Sequence, residues 1–399
     1  MAVVLELAID FGATGNSQTY LAGGWAQPEP TFTWATGAES SLRIPTLPDT
    51  GADEYILTLD IVPFVSLPEL TAQRVIVSVN DTVVGSSSLA RPTLVGYRIP
   101  AELVRGSEVL TVVLQHPDAA RPMDFATTED DRPLAFSMAE ARLYRLSATT
   151  GDWVWRLPPG TMMDWNGEQF GLPRRGDLTQ QVVERTGLDF AQLAPHFESM
   201  GENCEFGLVQ RRCGAEPLGL LRFSSTFMRA LIRGLDTGFD GLGELEDIEP
   251  YLSGASPREY MIHEKKYGLD YHSFIYEGQR SIWLMREQEA ARLKYLRREF
   301  VEELAEGEKI FVYKRNSAVT DAEVLPLLMA LRRLGDNTLL WVVPAERNRP
   351  PGSVEVLMPG LLKGYIDRFA PEHDAYDFSF ENWMKICANA LALTRAAKA

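Results

Sequence analysis

Apolar and polar positions alternate in short runs through the first 147 residues, and the rhythm changes after residue 178. Residues 1–10 read as a first strand, and Tyr55–Val62, Arg74–Val79, Glu108–Leu114 and Leu134–Leu146 are further alternating or apolar runs of strand length. Turn-rich stretches separate them, such as Pro45-Thr-Leu-Pro-Asp-Thr-Gly and Asn80-Asp-Thr. Strands at this spacing, with no helical period between them, predict an all-β sandwich of the jelly-roll kind over residues 1–147.

Beyond Leu178 the apolar residues recur at three- and four-residue steps. Gln180–Phe197 and Gln288–Leu304 are predicted helices, and the short strands Ile310–Tyr313 and Thr338–Val343 follow. Helices interleaved with strands predict an α/β second domain over residues 178–399. Residues 148–177, rich in Gly, Pro and Trp, read as the linker, and the segment from Gly360 to Phe369 reads as a loop. The chain is thus multidomain, and its 399 residues fit two cores better than one.

Charge narrows the classes. Lysine and arginine number 39 against 55 aspartates and glutamates, a net −16, so nucleic acid is not an expected partner. No apolar run reaches the ~18 residues of a membrane span. The apolar start carries Glu6 and Asp10 and no basic flank, which is unlike a secretion signal. Three cysteines cannot all pair, and a reducing cytoplasm is the expected location. No glycine-rich phosphate loop or standard metal-ligand spacing occurs, so neither cofactor nor metal is expected.

In the first domain, Trp25 and Trp34 stand in a loop-strand setting. Flat rings there either fill the sandwich core or stack on the apolar faces of sugars. Trp25-x-x-Pro28-Glu29, Phe32-x-Trp34, Gln73-Arg74-Val75, the run from His116 to Pro122 and Asp131-Arg132-Pro133-Leu134 resemble a carbohydrate-binding-like β-sandwich module attached to bacterial glycosyltransferases. The resemblance covers about residues 20–146 and implies a role near glycan assembly. The module's asparagine-glycine hairpin is Asn80-Asp81 here, and asparagine tolerates the positive φ of such a turn.

The second domain carries Gly201-Glu202-Asn203-Cys204-Glu205 before a helical pattern. Asn203 is a candidate N-cap, which sets Cys204 in the first turn. There the helix dipole and free N–H groups favour a thiolate, the form a nucleophile needs. The rival reading is a small buried hydrophobe. Of five histidines, His272 is the candidate base, on a strand distant in sequence, with His373 as runner-up. Asn316, just past a strand, completes the order Cys, His, Asn. Asn203 and Gln210 are candidate oxyanion donors.

The Gly-x-Asn-Cys-Glu motif, Leu220-Leu221-Arg222-Phe223, Tyr271-His272 and Arg297-Arg298 are similar to a largely uncharacterised bacterial family of papain-like cysteine peptidases. The likeness covers about residues 195–345 and implies Cys204 as nucleophile and His272 as base. That family's Pro-Phe-Asp-Trp motif is replaced here by Leu221-Arg222-Phe223-Ser224-Ser225. Two functions are therefore expected to compete: a thiol hydrolase or acyl transferase in a polysaccharide context, and a non-catalytic glycan-binding or assembly protein.

Overall fold

The computed structural model describes residues 2–45, 54–105, 107–147, 156–164, 177–254 and 256–398. Contacts divide the chain into two compact units, residues 1–150 with 320–329, and residues 151–319 with 330–399. The linker expected at 148–177 lies outside the described residues except for 156–164 and 177.

The first unit is a β-sandwich. Its strands are β1 (Ala2–Asp10), β2 (Leu21–Gly23), β3 (Thr33–Thr36), β4 (Glu39–Pro45) and β5 (Glu54–Pro63). They continue as β6 (Gln73–Val79), β7 (Thr82–Leu89), β8 (Thr93–Ile99), β9 (Val109–Gln115) and β10 (Leu134–Ser147), with a single turn of helix, α1 (Ala101–Val104). One sheet runs β1-β10-β5-β8 with β3 also on β10; the other runs β2-β4-β9-β6-β7. The chain changes sheet at every step from β4 to β6 and again from β7 to β10. All recorded pairings in both sheets are antiparallel. Period-two patterning explains the core: Leu57, Leu59 and Ile61 of β5 and Phe136 and Met138 of β10 share one apolar cluster with Val75, Val77 and Val79 of β6 and Leu110, Val112 and Leu114 of β9. Asn80 and Asp81 both take positive φ, as a two-residue hairpin turn requires.

The second unit is α/β, with two sheets. Its elements begin with β11 (Met162–Met163), α2 (Leu178–Thr186), α3 (Phe190–Leu193), β12 (Phe197–Ser199), α4 (Glu205–Arg212), β13 (Ser224–Ser225) and α5 (Met228–Asp236). Next come β14 (Ile248–Leu252), β15 (Glu259–Glu264), β16 (Leu269–Tyr276), α6 (Ile282–Glu306) and β17 (Ile310–Lys314). The unit ends through β18 (Thr338–Pro344), β19 (Val354–Met358), β20 (Leu361–Ile366) and α8 (Phe380–Lys398), while α7 (Asp321–Arg332) belongs to the first unit through residue 329. A six-stranded sheet has the order β11-β19-β20-β18-β17-β12, and a four-stranded sheet the order β13-β16-β15-β14. Within the larger sheet β12, β17, β18 and β20 are parallel, and the smaller sheet is antiparallel. This pairing makes the unit α/β and does not by itself make it papain-like.

Two elements differ from expectation. The helix predicted over Gln180–Phe197 is broken, because Gly187 ends α2 in the left-handed conformation and Asp189 opens α3 with a reciprocal capping box to Gln192. Leu193 and His196 then lead into β12 rather than continuing a helix. The loop expected from Gly360 to Phe369 is instead β20, a central strand. Gly364 is small because Ile386 of α8 sits where its Cβ would be, so the glycine marks close packing and not a turn.

Candidate functional site

The site begins where β12 leaves the parallel sheet. Gly201 and Glu202 both adopt positive φ and turn the chain into α4. The Asn203 side chain accepts the Glu205 N–H at 3.0 Å, so it forms a local turn, and Cys204 itself occupies the capping position. The expected capping role of Asn203 thus shifts by one residue. In the same bond the Asn203 side-chain oxygen Oδ1 is occupied.

The Cys204 thiol is half-buried and donates to the Phe223 carbonyl at 3.5 Å. Burial pushes its pKa up, while the nearby positive charges of Lys314 and Arg211 pull it back. This direction is opposite to the one expected from the helix start alone. Desolvation outweighs the dipole because the thiolate would lose more hydration than one turn of helix returns.

Directly after Cys204, Glu205 is wholly buried. Its carboxylate accepts from Lys314 Nζ at 2.7 Å, from the Ala370 N–H at 3.1 Å and from Trp383 Nε1 at 2.9 Å. Lys314 ends β17 with its side chain 2% exposed; it also donates to Asn316 Oδ1 at 2.8 Å and lies 4.8 Å from the Phe369 ring. Asn316 donates onward to the Ala370 carbonyl at 3.3 Å. Its amide oxygen serves the ammonium, so the expected third triad position at Asn316 is corrected.

His272 lies within β16, with its side chain 46% exposed. Its Nδ1 meets Glu259 Oε2 at 3.0 Å, and Glu259 Oε1 accepts the Phe274 N–H at 2.8 Å. A carboxylate fixed by a backbone donor therefore orients the ring and leaves Nε2 outward. Ser224 is paired with Tyr271, so Phe223, in the turn before β13, and His272 of β16 come next beyond that pair. The carbonyl that takes the Cys204 proton is thus next along the chain from the strand that pairs beside His272. His373, the runner-up base, is exposed on a loop.

Gln210 is corrected as an oxyanion donor. Its amide nitrogen donates to Ala194 O at 3.3 Å and Phe197 O at 2.9 Å, lashing α4 to the segment before β12. Arg222 has a similar structural task, donating to the Gly207 and Ala215 carbonyls at 3.1 Å each. In the sandwich Trp25 is half-buried and lies against the core cluster: its ring packs on Phe11 and Phe136, and its Nε1 donates to Ser41 O at 2.9 Å. Trp34 remains half-buried on β3, edge-on to Phe32 at 5.8 Å.

The sequence reading missed Glu259 and Lys314. Glu259 had no signal, because its link to His272 depends on a strand register interrupted by a bulge after Tyr260. Lys314 had one, a lysine closing the otherwise apolar and aromatic strand Ile310-Phe-Val-Tyr. Among the described residues no group of three metal-ligating side chains converges and no helix is long and apolar enough to cross a membrane.

The chain matches no family model and no curated protein. Among solved structures it is similar to the C-terminal CBM6 module of LamC, a marine laminarinase from Zobellia galactanivorans, at 13% identity and TM-score 0.23, covering 34% of this chain and 97% of that one. It is similar to the CBM36-1 domain of a multidomain xylanase from the hindgut metagenome of Trinervitermes trinervoides, at 11% identity and TM-score 0.23, covering 36% and 98%. A family GH115 4-O-methyl-alpha-glucuronidase, BtGH115A, shows 10% identity and TM-score 0.23 over 36% of this chain and only 18% of its own length. Likenesses this slight carry no argument; the sandwich rests on its own strand pairing.

Proposed function

We propose that the second unit is a thiol enzyme of the hydrolase or acyl-transferase class, with Cys204 as nucleophile and His272, oriented by Glu259, as general base. The supporting observation is His272 on β16, paired with Glu259 of the neighbouring β15; β16 also pairs with β13, whose preceding residue, Phe223, accepts the Cys204 proton through its carbonyl. In this reading the thiol is neutral at rest, as its burial demands. The imidazole takes the S–H proton as sulfur attacks an acyl carbon, and returns it to the leaving group. Water or an acceptor hydroxyl then releases the acyl group from sulfur, with the same imidazole as base. The Gly-x-Asn-Cys-Glu motif, which resembles that of papain-like peptidases, supports the order of cysteine before histidine, and three free cysteines agree with a reducing compartment. The test is acylation by p-nitrophenyl acetate followed by mass spectrometry of the intact chain. Expected are an adduct on Cys204, at least a ~100-fold slower rate in His272→Gln and a loss of about tenfold in Glu259→Gln. An unchanged rate in His272→Gln overturns the assignment.

A second reading, sugar binding by the sandwich, is favoured by the half-buried pair of Phe32, just before β3, and Trp34 on β3. Calorimetric titration with xylan and laminarin oligosaccharides tests it. Binding removed by Trp34→Ala supports the reading, and its absence in the parent chain refutes it for those sugars.

A further inference from the structure

Resting on the proposed role of Cys204 as nucleophile, we infer that Lys314 is a positioning residue whose buried ammonium stabilises the Cys204 thiolate in place of an imidazolium. Three features carry this. Lys314 is held against the residue that follows Cys204 in the chain, through its 2.7 Å contact with Glu205. Its ammonium is fixed on three sides by Glu205, Asn316 and the Phe369 ring, so it cannot swing out to water. And it is removed from solvent, where a charge acts over several ångströms with little screening.

A purely structural ion pair could do its work with any counter-charge and would be indifferent to the sulfur. Here both members sit where the parallel strands β12 and β17 deliver their chain ends, the edge at which open α/β sheets gather their functional groups. His272, by contrast, is half-exposed and already engaged at Nδ1 by Glu259. The labour divides: Lys314 sets how readily sulfur carries negative charge, and His272 moves the proton.

The test is the Cys204 titration, read from thiolate absorbance near 240 nm and from iodoacetamide labelling rates in the full chain. Lys314→Met with Glu205→Gln removes both charges, so no lone carboxylate is left buried. The double variant should raise the thiol pKa by about one unit or more, slowing labelling at pH 8 by about tenfold. Lys314→Arg should retain most of the parent rate. Glu205→Gln alone, which leaves the ammonium without its carboxylate, should shift the thiol the other way and quicken labelling. His272→Gln should change acylation turnover while leaving the thiol titration where it is. If the double variant does not fold, the Glu205→Gln shift still decides, because a purely structural pair predicts no acceleration. Unchanged titration in the folded variants overturns the inference. Loss of turnover in Cys204→Ser with that unchanged titration would leave the thiol enzyme standing and remove only Lys314. Normal shifts with no turnover would do the reverse.

Discussion

Two residues in the β12 region are held neutral by burial. Cys204 is held neutral by burial, so its alkylation should be slow at pH 7 and climb above pH 9. Cys213 (pushed up to about 12) and Cys387 should stay silent until the chain unfolds, as peptide mapping would record. Glu198 is fully buried on β12, and burial raises its carboxyl to about 8 although Lys309 stands 3.5 Å away. A carboxyl that is harder to ionise folded than unfolded binds the extra proton between about pH 4.5 and 8, so its contribution drains away as pH rises through that window. Glu198→Gln should therefore flatten the fall in stability between pH 5 and 8, with a gain over the parent of ~1–3 kcal/mol at pH 8 by urea unfolding. If the parent and variant curves stay parallel, Glu198 is ionised throughout and the burial argument fails. The tryptophans differ in a simpler way. Trp25→Ala strips a half-buried ring from the margin of the sandwich core and should cost less than the ~3–5 kcal/mol of a fully buried tryptophan, and Trp34→Ala, whose ring lies outside that cluster, less again.

Among the elements, α4 depends on a glycine the sequence did not advertise. A Cβ on Gly207 would meet the Arg222 carbonyl at 2.5 Å, so only glycine lets the helix lie against the strand segment that carries Phe223. Gly207→Ala should cost ~1–3 kcal/mol and, by shifting the Phe223 carbonyl, alter the Cys204 labelling rate. Alternation along single strands was legible from the chain: β5, β6, β9 and β10 fall within a residue or so of their patterns, and α6 contains the helix expected over Gln288–Leu304 but begins six residues earlier, after its Ser281 cap. What escaped was whatever depends on a distant neighbour. The segment around Gly364 looked like a loop because the α8 side chain that this glycine accommodates comes 22 positions later. Asn316 looked like a triad member because nothing local says that a lysine two residues earlier will claim its oxygen. Cys204 was found from its motif, but the sign of its pKa shift needed the burial that only packing supplies.

At the scale of the molecule, the sandwich closes on its last strand. β10 pairs with β1, β3 and β5, and β1 has β10 as its partner among the described residues, with Ala2 opposite Ser147 and Asp10 opposite Glu140. On a ribosome adding about 5–20 residues per second, the first strand therefore waits many seconds, with its apolar edge unpaired, before its mate is made. Nascent chains stalled after β9 should be protease-sensitive throughout the sandwich, and those stalled once β10 has cleared the exit tunnel should become resistant together. Resistance acquired gradually, strand by strand, would contradict that order. The most remote pairing in the sheet thus acts as a timer: the two-sheet sandwich cannot close until its own final strand is translated, and in the interval the newborn chain is a natural client for chaperones that shield open strand edges.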